Sequence, residues 1–332
     1  MSFNSSEIYP DDFAFVYLDL DNPDIAWLTY RGIINSPDIP SANPGNISWF
    51  LLDVVKRGLV STLRREGSLE GYRLKEFPTL ISRLKCIYAY PTLEMANRGN
   101  DGRGKFRKEN LVAIAPATPN YKMESYDGNW ITNFDSLPVG TARKYWRGET
   151  TKSPHMECLL SGRFMIYGTT VRRRAYETIR MKWPNSLAFL ELSRLAAYFG
   201  SDLGSISPWL RRDGERVFVE GVIKYDEKEG LEVFRAALEE RRRNPAFQIN
   251  LQDLKPLFTP GPNPELDEKF CVPGDNLPKP ALRQDKLAEL NQFMELVLRR
   301  TIESEGRINK LQQAGSPDER SDIRGCVAAP ET

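Results

Sequence analysis

The sequence predicts an α+β protein, with short strands and a few helices in the first half and a mainly helical second half. Runs rich in aromatic and β-branched residues recur up to about residue 170, separated by Asn, Asp, Gly and Pro clusters. Beyond that point apolar residues recur at helical spacing. At 332 residues and 40% hydrophobic content, the chain can fill a substantial core without disulfide or metal staples.

Residues 11 to 34 hold two apolar runs on either side of DNPD, a turn-forming cluster, and predict two early strands. From 47 to 66, Ile47, Phe50, Leu51, Val54 and Val55 share one face and predict an amphipathic helix. The run at 84–90 reads as a buried strand, and TLEMANRG starts a short helix that Thr92 can cap. NLVAIAP at 110–116 is another short strand. NYKMESYDGNWITNFDSL is turn-rich and aromatic, and VGTARKYWRG is helical. HMECLLSGRFMIYG, 155–168, then predicts a strand, turn and strand. In the second half, 172–200 is helical on both sides of Pro184, 217–225 is a strand and 230–243 a helix. Seven prolines between 256 and 280 mark a long loop. Leu287, Leu290, Met294 and Val297 share a helical face, and the tail from 314 has too little apolar content to pack. The expected organisation is therefore 11–170, 171–313 and a tail at 314–332.

Charge excludes little and attracts little: 46 Lys plus Arg against 45 Asp plus Glu leave a net charge of +1, so any nucleic-acid or anionic-membrane contact needs a local patch. Cys86, Cys158, Cys271 and Cys326 form no CxxC pair, and with one histidine the expectation is a reduced, metal-free, cytoplasmic protein. The acidic N-terminus lacks the pattern of a secretory signal, and no stretch is apolar enough for a membrane span.

Three stretches carry candidate chemistry. WLTYRG places Arg31 beside a glycine, at the end of the second expected strand, where a guanidinium can grip a phosphate; a surface arginine ending a strand is the plainer alternative. In FPTLISRLKCIYAY, Ser82 and Arg83 precede a strand bearing Tyr88 and Tyr90, whose rings could stack a flat heterocycle or simply fill the core. Glu157 is either a solvated hairpin carboxylate or the group that stabilises an oxocarbenium-like ion when a glycosidic bond breaks. His155 could act as a base but sits beside Pro154, which favours a loop.

An Arg on an early strand, an SR-then-aromatic strand and a late ECLLSG together resemble the ADP-ribosyltransferase superfamily. EFPTLISRLKCIYAYPTLEMA, ARKYWRGE and ECLLSG are also similar to a poorly characterised bacterial group related to that fold, over roughly residues 25 to 170. The resemblance implies a split antiparallel β-sheet holding NAD as co-substrate. It assigns Arg31 to the NAD phosphates or ribose, Tyr88 or Tyr90 to the nicotinamide site with Ser82 and Arg83 in support, and catalysis to Glu157. ADP-ribose would pass to a protein or nucleic-acid acceptor, in the manner of a bacterial effector or toxin. Transfer to water, or a scaffold that keeps the fold without chemistry, are the alternatives. Two departures stand out: the middle strand lacks a Ser-Thr-Ser pattern, and His155 occupies the place where arginine-modifying members carry a second glutamate.

Overall fold

A computed structural model describes residues 13–39, 45–101, 107–132, 139–213 and 216–249. The proline-rich stretch 256–280, the helical face at 287–297 and the tail at 314–332 lie outside the described residues.

The elements follow in chain order. Strand β1 (Ala14–Tyr17) leads to helix α1 (Pro23–Arg31) and strand β2 (Ile33–Asn35). The second early strand expected across this region is therefore mostly helix. DNPD is a helix start instead of a turn: the Asn22 side chain accepts from the Asp24 amide, Pro23 occupies the first turn, and Gly32 closes the helix in the left-handed region at φ 90°. Helices α2 (Trp49–Lys56) and α3 (Val60–Glu76) replace the one helix expected over 47–66, because Gly58, at φ 62°, breaks the run.

Next come β3 (Ile87–Ala89), α4 (Leu93–Asp101, with Thr92 accepting from the Met95 amide), β4 (Leu111–Pro116) and β5 (Lys122–Asp127). Strand β5 falls in the stretch expected to be turn-rich. The short α5 (Asn129–Thr132), α6 (Val139–Trp146), β6 (Met156–Ser161) and β7 (Arg163–Ile166) complete the first half. Helices α7 (Thr169–Lys182) and α8 (Leu187–Tyr198), the hairpin of β8 (Ile206–Asp213) and β9 (Arg216–Ile223), and α9 (Glu227–Arg243) follow. Strand β8 had no counterpart in the sequence reading.

The strands form two antiparallel sheets besides the β8–β9 hairpin, in the orders β1-β4-β7-β2 and β3-β6-β5. Strands β6 and β7, expected to pair as a hairpin, lie in different sheets. Gly162 permits the crossing: at φ 124° it adopts a backbone that other residues rarely take, and an added Cβ would lie 3.0 Å from the Asn120 carbonyl oxygen. The sheets also touch where Phe15 and Tyr90 exchange backbone hydrogen bonds of 2.8 Å.

The expected boundary at residue 170 falls inside a continuous core. Ala14, Trp27 and Phe164 pack in one cluster with Phe189, Leu195, Ile223 and Val233. A second cluster, with Leu69, Tyr126, Tyr145, Trp146 and Leu159, fills the space between α3, α6 and the β3-β6-β5 sheet. The twofold period of β6 serves both. Cys158 and Leu160 join the first cluster, and Leu159 the second.

Arg31 is the last residue of α1, not the end of a strand. Its guanidinium, 2% exposed, donates to the carbonyls of Ser201 (2.7 Å), Ile33 (3.3 Å) and Leu203 (3.4 Å), which fastens the 201–203 loop to α1. Asp24, at the other end of α1, is buried against Gly221, and among the described residues its Oδ1 has no hydrogen-bond partner.

Burial, opposed by Lys56, pushes the Asp24 carboxyl up to about 6. The folded chain thus binds this proton more tightly than the unfolded one, so stability is lost as pH rises from about 4 through 6. Each pKa unit corresponds to about 1.4 kcal/mol. Asp24→Asn should therefore stabilise the protein by about 1–3 kcal/mol near neutral pH and by little at about pH 4. Urea unfolding of both proteins across that range checks this; a difference that does not change with pH contradicts it.

Candidate functional site

Helix α3 carries an unusual stripe. Leu63, Glu66, Leu69, Glu70 and Arg73 are all buried, so its core-facing side mixes apolar and charged groups. Buried charges need partners, and the segment that follows supplies them. Arg73 forms a two-pronged pair with Glu70 (3.0 and 3.1 Å) and donates to the carbonyls of Phe77, Pro78 and Leu80. Ser82 donates to Glu70 at 2.9 Å and receives the Leu84 amide at 3.3 Å. The chain at 77–82 is thereby tied to α3 and delivers Arg83 into the second core.

Arg83, 4% exposed, is the centre of the site. Its Nε and Nη2 grip Glu66 at 2.8 and 3.2 Å. Its Nη1 donates to the Tyr145 hydroxyl at 2.6 Å and to Oε1 of Glu157. Tyr145 in turn donates to the same Oε1 at 2.6 Å. The guanidinium carbon lies 5.1 Å from the ring centre of Tyr88 and 5.2 Å from that of Tyr145, so two aromatic rings border the charge. Burial alone would lower the Arg83 pKa, but Glu157 and Glu66 outweigh it and the net shift is upward. Burial also holds the Tyr145 phenol well above its ordinary range, with Arg83 opposing and Glu157 adding to the shift.

Glu157 reaches this cluster because its backbone is fixed on both sides. It pairs with Tyr126 of β5 in the sheet. Before it, Asp127 accepts from Thr151 (2.7 Å from both amide and hydroxyl), from the His155 amide (2.9 Å) and from the Asn129 amide (3.1 Å). Glu157 is 19% exposed, in contrast to its buried partners. Among the described residues its hydrogen bonds all end on Oε1. A Cβ at Gly128 would stand 3.9 Å from Oε2, so glycine there keeps the neighbourhood of that oxygen open.

The structure thus brings together Arg83, Tyr88 and Glu157; Ser82, next to Arg83 in the chain, is bonded instead to Glu70 of the neighbouring Glu70–Arg73 pair. Tyr90 lies just beyond β3 and meets His155 edge-on at 6.2 Å and Tyr17 at 6.4 Å. Arg31 is bound to the 201–203 loop, and among the described residues none of its hydrogen bonds reaches this cluster. Glu66 and Tyr145 were missed from the sequence. For Glu66 the signal was present: Glu66, Glu70 and Arg73 fall on the same helical face as Leu63 and Leu69, where solvated charges do not belong. Among the described residues no group of His, Cys, Asp and Glu could hold a metal ion, and no helix is long and apolar enough to cross a membrane.

Residues 41–174 match a family model described as a protein of unknown function, DUF2441. The match contains Glu66, Arg83, Tyr88, Tyr145 and Glu157. No curated protein matches the chain.

Removing one partner from a buried charge network leaves the others uncompensated, at a typical cost of about 3–5 kcal/mol. Arg83→Ala should cost that much. Denaturant unfolding of parent and variant at neutral pH measures it. A loss below about 1 kcal/mol would place Arg83 with ordinary surface pairs.

Proposed function

We propose that the chain consumes NAD, with Glu157 stabilising the ribosyl cation as the bond between nicotinamide and ribose breaks. The observation that carries this reading is the asymmetry of the Glu157 carboxylate: Oε1 is immobilised by Arg83 and Tyr145, while Oε2 is left for a ligand. Two carboxylates around one guanidinium also favour a developing positive charge nearby, although Arg65 stands 3.9 Å from Glu66 and offsets part of this.

In the proposed reaction the electrons of the C–N bond leave with neutral nicotinamide. A nucleophile on the acceptor attacks the ribosyl carbon and loses its proton to solvent. The acceptor is a protein or nucleic acid; with water as acceptor, the product is free ADP-ribose. Tyr88 and Tyr90 would border the nicotinamide, and Arg83 and Tyr145 would orient Glu157. Arg31 has no part in this version, because its guanidinium is spent on backbone carbonyls. The division of strands between two antiparallel sheets, with the chain crossing between them at Gly162, is compatible with a split sheet of the ADP-ribosyltransferase kind.

One observation favours a second reading. Arg83 bridges α3, α6 and β6 with its guanidinium largely enclosed, as expected of a brace in a scaffold without chemistry.

Glu157→Gln separates the two. The amide oxygen can still accept from Arg83 and Tyr145, so fold and NAD binding should persist, while NAD turnover should fall by a factor of about 100 or more. Incubation with NAD labelled on its adenylate half reads transfer, hydrolysis or neither. No turnover by the parent, or turnover by the variant within about twofold of it, rejects the catalytic reading.

A further inference from the structure

Away from Arg83, helices α1, α7 and α8, the end of α9 and the chain just beyond it border an open cleft of about 570 Å³. That size suits a small molecule. Its lining includes Tyr30, Tyr176, Glu191, Arg194, Arg241 and Phe247. Tyr30 and Tyr176 meet with ring centres 5.1 Å apart and planes at 44°, which gives the cleft an aromatic wall.

The charges around that wall do not balance. Glu191, buried, accepts from the Tyr30 hydroxyl and from Arg194 Nε at 2.9 Å. Arg172 approaches from α7 and donates to the Tyr30 carbonyl at 3.0 Å. Burial first and the neighbouring Arg194 second lower its pKa, opposed by Tyr30 and Glu191. Arg241, exposed on the last turn of α9, has no ion pair among the described residues. Arg180 pairs with Glu177 on α7, and Arg243 with Glu239 on α9. Two guanidiniums, Arg194 and Arg241, thus line the cleft with one carboxylate, Glu191, beside two tyrosine rings, and a third, Arg172, is held on the Tyr30 carbonyl.

A neutral aromatic ligand would leave this charge uncompensated, and a bare anion would leave the rings in water. We propose that the cleft binds a small anion carrying a flat ring, of the chemical class of a nucleoside monophosphate. The ring lies against Tyr30 and Tyr176, and the phosphate meets Arg194 and Arg241, whose planar forks match its oxygens. The inference is independent of Glu157 and of NAD turnover.

The test is calorimetric titration of the full chain with AMP, and separately with adenosine and inorganic phosphate. AMP should bind below about 1 mM, and each half roughly tenfold more weakly or worse. Arg241→Glu, at an exposed position that folding does not need, should weaken AMP roughly tenfold, and added salt should weaken the parent. Tyr176→Ala should remove the advantage of AMP over phosphate. Because NAD contains an adenylate, Tyr88→Ala and Glu157→Gln serve as controls that leave AMP binding unchanged. No AMP binding up to about 1 mM, unchanged binding in Arg241→Glu, or loss of binding in the controls would overturn the assignment.

Discussion

The site depends on a single buried cation. Arg83 lies within the protein interior with Glu66 on one edge, Glu157 and Tyr145 on the other, and the Tyr88 and Tyr145 rings near its guanidinium. A lone guanidinium at that depth would be prohibitively costly, so each partner must be present and correctly placed for the others to be tolerated. The partners come from α3, α6 and β6, which makes the network a constraint on how these three elements dock. The second buried pair, Glu70 with Arg73, acts one turn further along α3 and anchors the segment that leads into Arg83.

The same constraint explains how a strand residue becomes a site residue. Strand β6 is central in its sheet, and alternation sends Cys158 and Leu160 toward the main core. Glu157 and Leu159 share the opposite face, toward α3 and α6. The chain then leaves that sheet at Gly162 and enters the other as β7. Glu157 itself lies near the start of β6, at the end remote from Gly162, with one carboxylate oxygen tied down. This placement makes chemistry at Glu157 a reasonable proposal, whereas a residue on an ordinary hairpin would offer only a solvated carboxylate.

The two halves of the chain are interdependent. Helices α7, α8 and α9 complete the core begun by β1, α1 and β7. Arg31, Trp27 and Asp24 show the mechanism: all three lie on α1, and they meet the carbonyls of Ser201 and Leu203, the carbonyl of Gly204, and Gly221 respectively. The helical half thus supports the sheet directly. It also forms the arginine-lined cleft, whose walls come from both sides of residue 170.

The sequence by itself determined the α+β class, strands β1, β3, β4 and β9, and helices α4, α6, α7, α8 and α9, because their periodicity and caps are local signals. It also singled out Arg83, Tyr88 and Glu157. Local signals were misread where DNPD caps a helix, where Gly58 breaks one, and where the stretch expected to be turn-rich holds β5. Tertiary structure alone decided the rest. Pairing partners are not written in a strand, so ECLLSGRFMI reads as a hairpin although its halves join different sheets. An arginine beside a glycine looks the same whether it faces a phosphate or backbone carbonyls, and only packing buried Arg31 among carbonyls. Glu66 and Tyr145 lie 17 and 62 residues from Arg83. The reason they converge is electrostatic: a charge removed from water must find its counter-charge wherever the fold brings one within reach.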